Sequence, residues 1–149
     1  MNNENNISNK KTSDEENAKE LQSKFYEYQI LESQIKQLQE QIEHFDAQII
    51  EVNSIKNNLD SFNNSAVDSE ILVPVANGIF AKAVLKDNND LVVNVGANVA
   101  VHKSVEDTKN LLQQQFVEIQ NYRMQLFAQL EILSKKIVNL EKDLELLIK

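Results

Sequence analysis

No cysteine occurs in the 149 residues, and there are only 2 glycines, 1 proline and no tryptophan. Without thiols the chain has no disulfides, no thiolate metal ligands and no cysteine nucleophile, and it suits a reducing compartment. With so few turn-forming residues it must consist of a few long elements. That disfavours sandwiches, Rossmann domains and glycine-rich nucleotide sites, which need many tight turns. Cationic charge is scarce too: 15 Lys and Arg against 23 Asp and Glu leave a net charge of −8. Such a chain is poorly suited to neutralising nucleic-acid phosphates or to docking on anionic lipid. No apolar run approaches the ~20 residues that span a bilayer. The Asn-rich start, Met1 to Thr12, has no apolar stretch of the signal-peptide kind. The expectation is a cytoplasmic protein with neither nucleic acid nor membrane as partner.

What the sequence does contain is heptad periodicity. Residues 1–12 read as a disordered polar tail. Residues 13–63 read as a first coiled-coil helix, opened by Ser13 with Glu16 three positions on, a capping-box spacing. Its a positions are Leu21, Tyr28, Ile35, Ile42 and Ile49, and its d positions Lys24, Leu31, Leu38, Phe45 and Val52. Beyond Val52 the apolar residues fall at Ile55, Leu59 and Phe62, a shortened step that predicts a stammer. Residues 104–149 read as a second coiled-coil helix with Ser104 as N-cap and Glu106 and Asp107 in the first turn. Its d positions Leu112, Ile119, Leu126, Leu133, Leu140 and Leu147 are all Leu or Ile, and its a positions include the charged Lys109 and Arg123. A polar a residue can fix register, or its stem can snorkel to solvent.

Between the helices the period changes. Residues 64–103 hold both glycines and the proline. Ile71–Val75, Ile79–Leu85, Leu91–Val95 and Val99–Val101 read as four short strands. The connections Ala76-Asn77-Gly78, Lys86–Asp90 and Gly96-Ala97-Asn98 are short, which predicts two consecutive antiparallel hairpins. Pro74 places its strand at an edge or beside a bulge. The predicted fold is mainly α with a small β part: a long antiparallel two-helix coiled coil joined at one end by two β-hairpins. Leu59 then faces roughly Lys109, and Leu21 faces roughly Leu147.

Two hairpins alone leave strand edges and an apolar face uncovered. Either they pair with other chains, making residues 64–103 an oligomerisation region, or they fold back on the helices. The assembly candidates are Ile71, Val73, Val75, Ile79, Leu85, Val92, Val95, Val99 and Val101. At the other end Phe25, Tyr26, Ile30, Leu146 and Ile148 lie off the seam. They mark a binding surface, a fraying helix end, or a place where a further helix packs. Catalytic, cofactor and metal sites are not expected. His44 directly follows Glu43, which is not a metal-ligand spacing on a helix, and His102 ends a strand with no partner implied. No phosphate-binding glycine motif is present.

The strand segment resembles that of the alpha-class subunits of prefoldin. The resemblance is carried by Glu70-Ile71-Leu72-Val73-Pro74-Val75, by Ala81-Lys82-Ala83-Val84-Leu85-Lys86-Asp87, and by the run from Val92 to Lys103. That last run is similar to the family pattern V-x-V-G-x-G-x-x-V-E-K. Asn98 stands where many members have Gly, and His102 where an acidic residue is common. Asn tolerates positive φ, so the turn is expected to survive. The resemblance implies a subunit whose strands enter an inter-subunit double β-barrel. Two alpha subunits and four beta-class subunits form a hetero-hexamer with six projecting coiled coils. It also implies an ATP-independent co-chaperone (a holdase) that holds unfolded polypeptide clients at the coiled-coil tips and passes them to a group II chaperonin. On that reading the client-binding candidates are Leu21, Phe25, Tyr28, Leu31, Leu140, Leu144, Leu147 and Ile148. The alternatives are a coiled-coil scaffold or tether built on a prefoldin-like assembly, and a membrane-surface protein anchored by its apolar tips.

Overall fold

The computed structural model describes the backbone of residues 2–148 and the side chains of residues 15–148. The order is helix α1 (Asn2–Asn63), strands β1 (Glu70–Ala76), β2 (Ile79–Val84), β3 (Asp90–Asn94) and β4 (Ala100–Ser104), then helix α2 (Val105–Ile148). Helix α1 starts ahead of the expected position: its backbone is helical from Asn2, so the stretch expected as a polar tail is drawn into it. No Gly or Pro stands there, and extending an existing helix adds one hydrogen bond per residue fixed. The expected cap at Ser13 falls on a side chain outside the described residues. The chain forms two compact units, residues 1–44 with 122–149 and residues 45–121.

In the first unit Leu31, Leu140 and Leu144 form the buried cluster, with Leu21, Tyr28, Leu133 and Ile137 packed against it. All are a or d residues of their helices. Lys24 Nζ lies 3.1 Å from Asp143 Oδ2, and the Tyr28 hydroxyl donates to Glu141 Oε1 at 3.0 Å. These pairs fix the helices antiparallel in the expected register, close to Leu21 opposite Leu147.

The second unit repeats that register in its own helical part. The Lys109 amine pairs with Asp60, and Lys56 Nζ donates to Gln113 Oε1 at 2.6 Å. The expected shortened step is met only in part: Phe62 is half-buried and Asn63 exposed, as it predicts. Ile55 is exposed, whereas Lys56 is half-buried with its amine 5.8 Å from the centre of the Phe116 ring. Lys56 thus holds the a position that unbroken heptad counting assigns to it. Its aliphatic stem covers apolar surface while its charged end finds Gln113 and a ring face.

The strands form two separate two-stranded antiparallel sheets, β1–β2 and β3–β4, as expected. The register slips between Pro74 and Ala76, which sets a bulge directly beside the proline. At the tip of β3–β4 three successive residues have positive φ: Gly96 at 105°, Ala97 at 47° and Asn98 at 60°. Asn98 does take the left-handed conformation expected of it. Gly96 Nα–H donates to Asn94 Oδ1 at 2.9 Å, and Val95 and Val99 close the turn through backbone bonds. At Gly96 a side chain would be strained whatever the space. Gly96→Ala is expected to cost about 1–3 kcal/mol. Asn98→Gly should stay within about 0.5 kcal/mol, since Gly relieves positive φ but adds unfolded-state entropy. Amide exchange at Val95 and Val99 reads both.

Polar side chains tie the hairpins to the helix ends. Asn88 donates to the carbonyls of Asn63 and Ser65 at 2.9 and 3.0 Å, satisfying acceptors at the end of α1. Ser104 caps α2: its hydroxyl accepts from the Asp107 amide at 3.0 Å and donates to Asp107 Oδ2 at 2.8 Å. Asp87 accepts the amides of Asn89 and Asp90 at 2.7 and 3.0 Å, and these bonds, Asn89 first, lower its carboxyl pKa. A depressed folded pKa contributes stability above the unfolded value, lost as pH falls through the folded one. The Asn89 and Asp90 amides should therefore lose exchange protection as acid protonates Asp87, and Asp87→Asn should remove that pH step.

Candidate functional site

The hairpins carry the first of two exposed apolar surfaces. Residues opposite one another share a face, so Leu72, Pro74, Phe80 and Val84 stand on one side of β1–β2, with Val73 and Ile79 on the other. Leu72, Val73, Val75, Ile79, Phe80 and Val84 are all exposed, Leu72 at 62% and Phe80 at 58%. A ribbon apolar on both faces, with both edges open, has nowhere within itself to bury them. On β3–β4, Val92 is exposed, as are Val95 and Val99 at the turn end, whereas Val101 is half-buried. Ile71 is half-buried as well.

Of the residues expected to serve assembly, Leu85 presents no open surface. Leu85 is buried at 6%. It lies just past β2, where Asp68 donates its amide to the Leu85 carbonyl at 2.7 Å and the Leu85 amide donates to Ser69 O at 3.0 Å. This pair of hydrogen bonds ties its backbone to the incoming chain, and its buried side chain is part of the core. Leu72, Phe80 and Val84, outside the expected set, are exposed as well. The signal for them is the alternation of β1 and β2, in which both phases are apolar.

The second apolar surface is in the first unit, where residues 21–31 of α1 meet the last turns of α2. Here the expected client-binding set divides. Leu31, Leu140 and Leu144 are buried below 10%, Leu21 and Tyr28 pack on them, and Leu147 is half-buried. They satisfy each other across the helix pair, as a and d residues do, and present little surface. Only Phe25 at 55% and Ile148 at 72% are exposed. Tyr26, Ile30 and Leu146 are exposed beside them. Their off-seam heptad positions are the signal that separates available from packed residues. Tyr122, Met124, Phe127, Ile132 and Val138 continue exposed apolar surface along α2.

The polar groups around this surface are structural. Asp143, by its hydrogen bond, raises the pKa of Lys24, and Glu141, accepting the Tyr28 hydroxyl, raises that of Tyr28. Both pairs lock the helices rather than poise a proton for transfer. His102 Nδ1 lies 2.9 Å from Asp90 Oδ2 on the exposed face of β3–β4. No group of three or more potential metal ligands is found among the described residues. No described helix is long and apolar enough to cross a membrane.

The family model for prefoldin subunits matches residues 31–149. The prefoldin alpha subunit of Pyrococcus horikoshii is 33% identical over 104 residues, 69% of this chain and 70% of its own length. Prefoldin subunit alpha 1 of Thermococcus kodakarensis is 33% identical over 103 residues, 69% of this chain and 70% of its own. The Methanococcus vannielii alpha subunit is 26% identical over 126 residues, 85% and 84% of the two chains. Among solved structures, a chain of filamentous PFD from Methanocaldococcus jannaschii superposes with a TM-score of 0.69 at 22% identity, covering 77% of this chain and 95% of that one. It supports the fold alone. Together with two heptad helices flanking two separate hairpins, these likenesses show that the chain belongs to the prefoldin family.

Proposed function

We propose that this chain is the alpha-class subunit of a cytoplasmic, ATP-independent co-chaperone, which joins beta-class subunits through its hairpins and holds unfolded polypeptides on the exposed apolar residues near the ends of its helices. The observation that carries the reading is the division of apolar side chains between packed and open. Seam residues are buried or half-buried, yet Leu146 and Ile148 at the end of α2, and Phe25, Tyr26 and Ile30 of α1, stand in solvent, and Leu72, Phe80 and Val92 stand in solvent on the hairpins. Exposed apolar side chains without a shaped pocket suit contacts of low specificity with many sequences.

The two surfaces then have different occupants. The hairpins, with free strand edges and alternating apolar residues, suit permanent pairing with other strands in a barrel of two alpha and four beta-class chains. The helix ends suit reversible capture, with the client passed on to a group II chaperonin. The subunit acts by binding and not by catalysis.

The alternative is a tether of the same build that grips one defined partner. Suppression of aggregation, measured with several unrelated unfolded proteins and the assembled complex, separates the two. The proposal predicts that all are held at comparable molar ratios without nucleotide. Protection of a single protein, with the others aggregating freely, would favour the tether.

A further inference from the structure

The surface at the helix ends carries charge as well as apolar area. Residues 15–32 and 140–148 together hold eight carboxylates against three amines. One of those amines is already engaged: Lys24 lies 3.1 Å from Asp143 and 3.4 Å from Glu20. Glu27 and Glu145 are exposed and form no ion pair among the described residues. Each sits within one turn of an exposed apolar residue, Ile30 three positions after Glu27 and Ile148 three after Glu145. Residues at that spacing are neighbours on a helix face. Both helices therefore present an apolar side chain beside a carboxylate that has no ion-pair partner among the described residues.

An unfolded segment lying on such a surface meets both features at once. By heptad position Phe25 lies on one side of the helix pair with Ile148 and Glu145, and Ile30 lies on the other with Glu27, so a segment's apolar residues take one set or the other. Flanking Lys or Arg side chains reach the carboxylates, lay their aliphatic stems over the apolar patch, and place their charged ends against the exposed rings of Phe25 and Tyr26. Flanking Asp or Glu meets repulsion and finds one amine fewer than the sequence count suggests, because Lys24 is occupied. We propose that the helix-end surface selects unfolded segments whose apolar residues are flanked by Lys or Arg over segments flanked by Asp or Glu. The inference rests on the holding role proposed above and names the client chemistry it favours.

The test uses labelled peptides with one apolar sequence and three kinds of flank, Lys, Gln and Glu, titrated by fluorescence anisotropy against the full chain in its assembly. At low salt the Lys-flanked peptide should bind about three- to tenfold tighter than the Glu-flanked one, with the Gln-flanked peptide between, as a few exposed charge pairs allow. Raising salt to about 0.5 M should nearly close the gap, since screening shortens the reach of exposed charges. Glu27→Gln combined with Glu145→Gln should narrow the gap at low salt. Equal affinity for the Lys and Glu peptides at low salt, or a gap that neither salt nor the double variant changes, overturns the selectivity and leaves the holding role standing. No binding by any peptide, with no unfolded protein held either, overturns the holding role itself.

Discussion

Leu72→Asp combined with Phe80→Asp should leave the chain helical and abolish its entry into any larger species. The two residues lie on one face of β1–β2, diagonal neighbours across the ribbon, and both are more than half exposed. Neither supports the fold of the free chain, so substitutions there cost it little. In an assembly that buries this face, each carries about 1.5–3 kcal/mol of transfer free energy. Losing both, and placing carboxylates in an apolar contact, weakens association on the order of a thousandfold or more. Circular dichroism should show unchanged helix content while native mass spectrometry shows only free chain. A full-sized complex formed by this variant would mean that the ribbon face is not the interface.

The second large effect is expected at the helix ends. Phe25→Ser with Ile148→Ser should remove most of the ability to hold unfolded protein while leaving assembly and thermal stability near those of the parent. Both side chains project from the seam into solvent, and surface changes of this kind stay within about 0.5 kcal/mol. Leu144→Ala is the contrasting case. Leu144 belongs to the buried cluster with Leu31 and Leu140, so its truncation should cost about 2–5 kcal/mol and loosen the helix pair. Holding would then fall through lost structure, visible as a lower melting temperature. If Phe25 and Ile148 can be replaced without loss of holding, the exposed apolar stretch from Tyr122 to Val138 on α2 becomes the stronger candidate.

Much of this molecule is legible in its sequence because its elements are long and periodic. Heptad spacing set the antiparallel register that Lys24–Asp143 and Tyr28–Glu141 display in one unit and Lys56–Gln113 in the other. Ser104 reads as a cap because Glu106 and Asp107 follow in the first turn, and its hydroxyl bonds both the amide and the carboxylate of Asp107. Asn98 reads as a glycine substitute because its side chain tolerates positive φ, and it sits at 60°. The readings that missed did so where a local pattern met a tertiary contact. Ile55 looks like the next seam residue by hydrophobicity, but Lys56 takes the position through Phe116 and Gln113. Leu85 looks like one more strand residue, but its backbone bonds to Asp68 and Ser69 and its side chain is buried in the core. At the helix ends, choosing candidates by hydrophobicity favoured Leu31, Leu140 and Leu144, which the seam consumes. Position in the heptad separates exposed from packed residues; hydrophobicity by itself does not.

The central claim is that the open faces of the two hairpins exist to be covered by other subunits. The mass of the chain in solution, alone and mixed with a beta-class prefoldin subunit from the same genome, tests this most directly. The account predicts that the mixture yields a discrete species of six chains, two of them this one. A chain that stays a monomer or a plain dimer and ignores the beta-class subunit would contradict it.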